Sequence, residues 1–133
     1  MVKNIIHIQT MGKDFQKLET AFGDGSLQRS LREIFPKVQV YSCSGNAEQV
    51  VITSNEPLFE VIEEVSRVFP LLELRLAWAV DRPGMAAGIS QFKYGECQKF
   101  FLPGGKILSH LTIQIWDEEK LPDFPIGKSE QTV

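Results

Sequence analysis

The 133-residue chain lacks any apolar run of the roughly 18 residues that a membrane-spanning helix requires. Its densest apolar stretches, residues 68–72 and 76–80, have the length of a buried strand. The apolar run near the N-terminus, residues 5–8, is too short for the core of a signal peptide, and no small-residue cleavage site follows it. We therefore expect an intracellular, cytoplasmic protein that makes no membrane contact.

Cysteine and histidine are scarce, with only Cys43, Cys97, His7 and His110 present. Because no secretory signal is present, the widely spaced cysteines favour free buried thiols over a disulfide. No Cys-x-x-Cys or His-x-x-x-His pair offers the close ligand spacing of a metal site. A Cys–His nucleophilic pair is the alternative, but each cysteine lies in a strand pattern. We predict no metal, no cofactor and no enzymatic activity.

An excess of basic residues is also missing, since 14 Lys and Arg stand against 17 Asp and Glu for a formal net charge of −3. Nucleic-acid binding needs clustered cations, so this composition disfavours it. The acidic residues are unevenly placed, with no Lys or Arg between Lys37 and Arg67. The acidic patch consists of Glu48, Glu56, Glu60, Glu63 and Glu64. It is either a solvated helix face or a surface for a basic protein partner.

Hydrophobic periodicity divides the chain into strands and helices. Period-two alternation predicts strands over residues 2–9, 37–43, 48–54, 72–78, 85–93, 97–102 and 111–116. Helical spacing predicts helices over residues 14–23, 26–35 and 55–69, the last with Asn55 or Ser54 as its N-cap. Gly88 marks a bulge or a close backbone approach.

Turn chemistry is expected at 81–84, at 94–96 inside a hairpin, and at 103–106. The segment Gly104-Gly105-Lys106 superficially resembles a phosphate loop. A phosphate loop needs a different glycine spacing and a helix directly afterwards, whereas a strand is predicted here. We therefore interpret the segment as a turn.

The order β-α(α)-β-β-α-β, followed by extra strands, predicts a ferredoxin-like (split βαβ) α+β fold. Its antiparallel sheet would carry the helices on one face, with a C-terminal β extension. The opposite face would be solvated, covered by the extension or used for binding. We assign residues 1–116 to this single domain and residues 117–133 to a polar tail.

The segment from residue 50 to about 101 resembles the YubB-type ferredoxin-like domain, a family of plasmids, phages and other mobile elements. The matching features are Asn55-Glu56-Pro57, Phe69-Pro70, the alternating Leu72, Leu74 and Leu76, Pro83-Gly84-Met85, Gly88 and a hairpin through Gly95. The family has no settled biochemical role, so the resemblance implies a fold and a genomic setting. In that setting an accessory role, including inhibition of a host defence nuclease, is natural.

The function that these observations favour is protein binding, to another protein or to a second copy of the chain. The candidate contact residues are the acidic Glu56, Glu60, Glu63 and Glu64, together with Phe101 and Trp116 if they point outward. The alternatives are a single-stranded nucleic-acid module and a small enzyme or sensor that uses the sheet face. The nucleic-acid alternative predicts that lysines such as Lys93, Lys99 and Lys106 converge with aromatics on one face.

Overall fold

The computed structural model of the chain describes residues 1–9, 13–26, 29, 32–33, 36–45, 48–82 and 86–124. Its elements, in chain order, are β1 Val2–Gln9, α1 Lys13–Gly23, β2 Val40–Gly45, β3 Gln49–Ser54, α2 Phe59–Val68, β4 Glu73–Val80, β5 Ala87–Lys93, β6 Glu96–Phe101 and α3 Gly105–Trp116. The α+β class predicted from the sequence is confirmed. The helix predicted over 26–35 falls mostly outside the described residues, as do Pro83 and Gly84 of the predicted turn.

The strands form one six-stranded antiparallel sheet in the order β2-β3-β1-β4-β5-β6. Strand β1 lies inside it, with Ile5 opposite Val51 on one side and Ala77 on the other. The consecutive residues Ile5 and Ile6 are both buried, as expected for a strand that is covered on both faces. Strands β2 and β6 form the two edges.

We call the side of the sheet that carries Ile6 and Leu76 the first face. Its core contains Leu18 of α1 and the apolar side of α2. Its buried members are Ile6, Ile8, Leu18, Leu58, Val61, Ile62, Val65, Phe69, Leu72, Leu74, Leu76 and Phe92. The apolar spacing that predicted a helix over residues 55–69 therefore corresponds to the side of α2 that is buried against the sheet.

The side of the sheet that carries Ile5 and Ala77 is the second face, and α3 covers it. Its core consists of Ile5, Val51, Ala77, Ala79, Ala87, Ile89, Leu111 and Ile115. The strand predicted over 111–116 is wrong, because this segment lies in a helix. Leu111 and Ile115 are buried while Ile113 is 49% exposed, which follows the helical i, i+4 spacing rather than alternation.

The start of α2 differs from its predicted position and cap. The helix begins at Phe59, after the N-cap residue Leu58, which makes no side-chain capping bond. The Leu58 N–H donates instead to Oδ1 of Asn4 in β1 at 3.0 Å. Asn55, one of the two residues predicted as the cap, accepts from the Gln39 N–H at 2.7 Å and so holds the approach to β2. The cap of α2 is therefore supplied by a distant strand.

Asn4 is a buried polar residue in the centre of the first face. Its Nδ2 donates to the Ser54 hydroxyl at 2.9 Å and to the Ile52 carbonyl at 3.0 Å, while its Oδ1 caps Leu58. One side chain therefore joins β1, β3 and the first turn of α2. A buried amide is tolerated there because its partners satisfy it.

The β5–β6 hairpin turns at Tyr94 and Gly95, which have φ values of 58° and 77°. Positive φ at both central residues is the conformation of a tight type I′ hairpin turn. A Cβ on Gly95 would lie 2.8 Å from Cγ of Arg67, so glycine is required by both conformation and space. The predicted close approach at Gly88 is also confirmed, because a Cβ there would meet Trp78 and Leu102 at 3.0 Å.

The described part of the predicted tail, residues 117–124, is not a free tail. Leu121 and Phe124 pack against the second core, and the Lys120 N–H donates to the Gln114 carbonyl at 3.2 Å. Two apolar side chains, which the sequence pattern did not assign, hold the segment on the sheet. The remainder, 125–133, lies outside the described residues. None of the described helices is both long and apolar enough to cross a membrane.

Candidate functional site

The acidic candidates separate into two groups. Glu63 and Glu64 pair with Arg67 of the same helix, at 3.1 and 2.8 Å. The hydrogen bond to Glu64 is the main reason that the pKa of Arg67 is raised. Glu56 and Glu60 are exposed and have no ion-pair partner among the described residues. Arg67, the first basic residue after Lys37, therefore partly neutralises the acidic patch predicted from the sequence.

Phe101 and Trp116 do not point outward. Both pack against the second core, and Nε1 of Trp116 donates to the Ala79 carbonyl at 2.9 Å. Nζ of Lys3 lies 4.9 Å from the centre of the Trp116 ring and covers its other side. These two aromatics do not form the expected apolar patch, because both pack against the core between α3 and the sheet.

The two edges of the sheet differ in charge and exposure. Every residue of β2 is exposed, including Val40 and Tyr41 at 55% and 54%. The strand has no charged residue and no proline along Val40–Gly45. Edge strand β6 instead carries Glu96 and Lys99. Charges on an edge strand discourage pairing with another chain, so β2 is the edge that lacks this protection.

Next to β2, a cavity of about 310 Å³ lies between the first face and α2. It is lined by Ile6, Ile8, Leu18, Arg32, Val38, Val40, Cys43, Val50, Ile52, Leu58, Val61, Ile62, Val65 and Leu74. Two shallower grooves, of about 480 and 560 Å³, share Val38 with it. The concave surface around Val38 therefore adjoins the exposed edge.

The two cysteines are free, as predicted, but Cys43 is exposed rather than buried. Cys43 lines the cavity, whereas Cys97 lies on β6 and packs against the first core from the opposite edge. Loss of water contact raises the pKa of both thiols. Neither thiol is therefore an activated nucleophile.

Two basic side chains meet an aromatic ring on the second face. Cζ of Arg75 lies 5.4 Å and Nζ of Lys99 lies 5.8 Å from the centre of the Phe124 ring. Asp123 forms an ion pair with Arg75 at 3.7 Å. Lys93, on a neighbouring strand, lies over Tyr94 at 5.1 Å. This cluster combines positive charge with an aromatic group, although an acidic residue opposes it.

The histidines occupy separate places. His7 is half-buried on β1, opposite Gln49 and Arg75, while His110 is exposed on α3. Neither is among the described residues that line the three cavities. Within the described ranges, no group of three or more His, Cys, Asp and Glu side chains is placed to hold a metal ion.

Sequence reasoning identified the acidic residues and the two aromatics but missed the features that the fold brings together. The cavity residues come from four strands and two helices, so their proximity has no local signal. The absence of charge in residues 40–45 was visible in the sequence, but its meaning depends on β2 being an edge. The chain matches no protein-family model, no curated protein and no solved structure.

Proposed function

We propose that the protein binds an extended segment of another protein, which adds to the sheet alongside β2. The observation that carries this proposal is that β2 is an exposed edge without a charge or a proline. An edge strand presents unpaired backbone N–H and C=O groups, and strand addition satisfies them. The exposed side chains of Val40 and Tyr41 offer apolar contact beside the added strand.

The charges beside β2 indicate what kind of segment it binds. Arg32 lines the groove next to Val40 and Tyr41. Lys37 lines the adjoining groove together with Glu56 and Glu60, so Arg32 is the cation that favours an acidic segment. Both cations are exposed and form no ion pair with any described residue. A segment with apolar residues along β2 and a carboxylate near Arg32 would complement this surface. We therefore commit to an acidic, extended peptide segment rather than to a second copy.

The assignment of the fold as ferredoxin-like is part of the same proposal. We propose that β1–β4 with α1 and α2 form a ferredoxin-like unit, to which β5, β6 and α3 are added. The strand order β2-β3-β1-β4 and the place of a helix between β3 and β4 support this. The YubB-type kinship, the accessory role on a mobile element, the absence of catalysis and the cytoplasmic location remain parts of this proposal.

Selection of short random peptides by phage display on the immobilised full chain tests the strand addition. We expect extended, acidic peptides to be enriched, and Tyr41→Glu to weaken their binding about tenfold, which corresponds to about 1.4 kcal/mol, because it removes an apolar contact and repels the acidic segment. The matched control is Gln98→Glu, which places the same charge on the exposed part of the other edge. It should leave the affinity unchanged.

Amide hydrogen exchange locates the bound peptide. Protection should rise in residues 40–45 and not in β6. Equal affinity for wild type and Tyr41→Glu, or protection only outside β2, contradicts the proposal. If sedimentation shows a dimer that Tyr41→Glu dissociates, then a second copy occupies the edge and the proposed acidic segment is wrong.

A second candidate function is binding of single-stranded nucleic acid at the Arg75, Lys99 and Phe124 cluster. The observation that favours it is the placement of both cations against one aromatic ring, since stacking and phosphate contacts are the usual pair of interactions. Fluorescence anisotropy of a labelled oligonucleotide at low salt is the test. Binding that Lys99→Gln weakens would support this candidate, and no binding of any oligonucleotide would exclude it.

A further inference from the structure

The cavity beside β2 opens at the exposed edge of the sheet and extends into the first core. Most residues that line it are buried, among them Ile6, Leu58, Ile62 and Leu74. Its walls come from the first face of the sheet and from the apolar side of α2. Between the described residues that line it, the space measures about 310 Å³.

A space of this size is unusual for a packed interior. Protein cores are as dense as organic crystals, and an apolar void loses contacts in proportion to its size. Engineered apolar cavities of about 150 Å³ stay dry and take up benzene. The cavity here has about twice that volume, which corresponds to an apolar group of roughly ten to twelve carbon atoms. Ligand pockets begin at about 300 Å³.

The mouth of the cavity has a single charged residue among the described residues that line it. Arg32 is exposed and forms no ion pair within the described part of the chain. Val40 and Cys43 of the exposed strand β2 form another part of the rim. The site therefore combines an apolar interior with a cation at the solvent boundary. This is the chemical complement of an amphiphile with an anionic head.

We propose that this cavity binds a monoanionic amphiphile, such as a medium-chain fatty acid, with the alkyl chain between the sheet and α2 and the carboxylate at Arg32. The alkyl chain fills the space between the described walls, and the guanidinium pairs with the head group. This site shares Arg32 with the proposed acidic segment, but the alkyl chain uses the first core whereas strand addition uses the backbone of β2.

Calorimetric titration of the full chain with decanoate, together with methyl NMR, tests the site. We expect saturable binding at one site, with shifts of the Ile52 and Val61 methyl groups, which line the cavity. The methyl groups of Leu111 and Ile115 in the second core should not shift. Phospholipid vesicles that compete for the same methyl groups would identify the acyl chain of a membrane lipid, and not a free acid, as the ligand.

The contribution of the head group is tested with Arg32→Gln. This exposed substitution should weaken decanoate binding by roughly threefold to fivefold, the range of a solvent-accessible ion pair, and leave decanol binding unchanged. The matched control is Arg29→Gln, because Arg29 is equally exposed but does not line the cavity. If decylamine binds as well as decanoate, the proposed anionic selectivity is wrong.

The two cysteines give an independent test in one molecule. Cys43 lines the cavity and Cys97 does not. With decanoate at about ten times its dissociation constant, alkylation of Cys43 by N-ethylmaleimide should slow about tenfold, while alkylation of Cys97 keeps its rate. Mass spectrometry of the two peptides reports both rates. Equal effects on both thiols, or no saturable binding in the titration, would overturn the proposal.

Discussion

The two faces of the sheet are covered by helices, but they pack differently. On the second face, α3 rests on small side chains, with Ala77 and Ala79 of β4 and Ala87 of β5 under Leu111 and Ile115. On the first face, branched aliphatic residues of β1, β3 and β4 face those of α2, and a cavity of about 310 Å³ remains. Small residues let a helix approach a sheet closely, whereas large residues on both sides meet only where their shapes interlock.

This difference assigns separate roles to the two faces. The second face holds the C-terminal segment in place through Trp116, Leu121 and Phe124. The first face leaves space, and it adjoins the uncharged edge β2. The edge proposed for strand addition and the cavity proposed for an amphiphile therefore lie together at the first face, whereas the cluster of Arg75, Lys99 and Phe124 lies on the second. Elsewhere in the first core, the rings of Phe59 and Phe92 pack edge to face with their centres 4.9 Å apart.

The largest expected effect comes from truncating one isoleucine in each core. Ile115→Ala should lower the free energy of unfolding by about 4 kcal/mol, and Ile6→Ala by about 2 kcal/mol, because Ile6 already faces open space. The two side chains are 0% and 4% exposed, so burial does not separate them. Urea denaturation of both variants checks the difference. Equal losses would mean that the first core is as closely packed as the second.

The next effect concerns Asn4, the polar residue that ties the first face together. Asn4→Ala removes the acceptor for the Leu58 N–H and the donor to Ser54. Leaving these buried groups unpaired should cost about 2–3 kcal/mol. Asn55→Ala is the control, since Asn55 also bridges two segments but is exposed to water. A cost for Asn4→Ala no larger than that of Asn55→Ala would show that the network does not hold α2.

Replacing a core residue with a larger one tests the same difference in packing between the two faces. Ala77→Leu should cost about 2 kcal/mol, because Ala77 is fully buried beneath α3 and the core must shift to accept it. Val50→Leu, which projects into the cavity, should change stability by less than about 0.5 kcal/mol. The same denaturation experiment measures both. A large cost for Val50→Leu would contradict the open space on the first face.

The smallest expected effect is a pH dependence of stability that comes from the two cysteines beside the first core. Partial loss of water contact raises the pKa of the Cys43 and Cys97 thiols, so the folded state holds these protons more tightly than the unfolded chain does. Their contribution to stability is complete below the ordinary thiol pKa and is lost as the pH rises through the raised value. The urea midpoint should therefore fall in that alkaline range, and less steeply in Cys43→Ala. An unchanged slope would show that the Cys43 thiol loses no hydration on folding.

Much of the fold could be predicted from local patterns. Strand β4 and the hairpin turn at 94–96 follow from alternation and turn residues, which act over a few neighbouring positions. The helix α3 could not be predicted, because Leu111, Ile113 and Ile115 fit a strand while Leu108, Leu111 and Ile115 fit a helix. Burial against Ala77 and Ala79 decides between them. The cap of α2 was mispredicted for a related reason, since Asn4 reaches it from a strand that is distant in sequence.

The candidate sites show the same division. By itself, the sequence determined the alternation of β4, the apolar side of α2 and the lack of charge in residues 40–45. Only the tertiary structure decided that β2 is an edge, that Phe101 and Trp116 face inward, and that Arg32 lies at the mouth of a cavity. The physical reason is that alternation and helical spacing arise from local backbone geometry. Edges, faces and cavities arise from contacts between residues that the chain brings together from far apart.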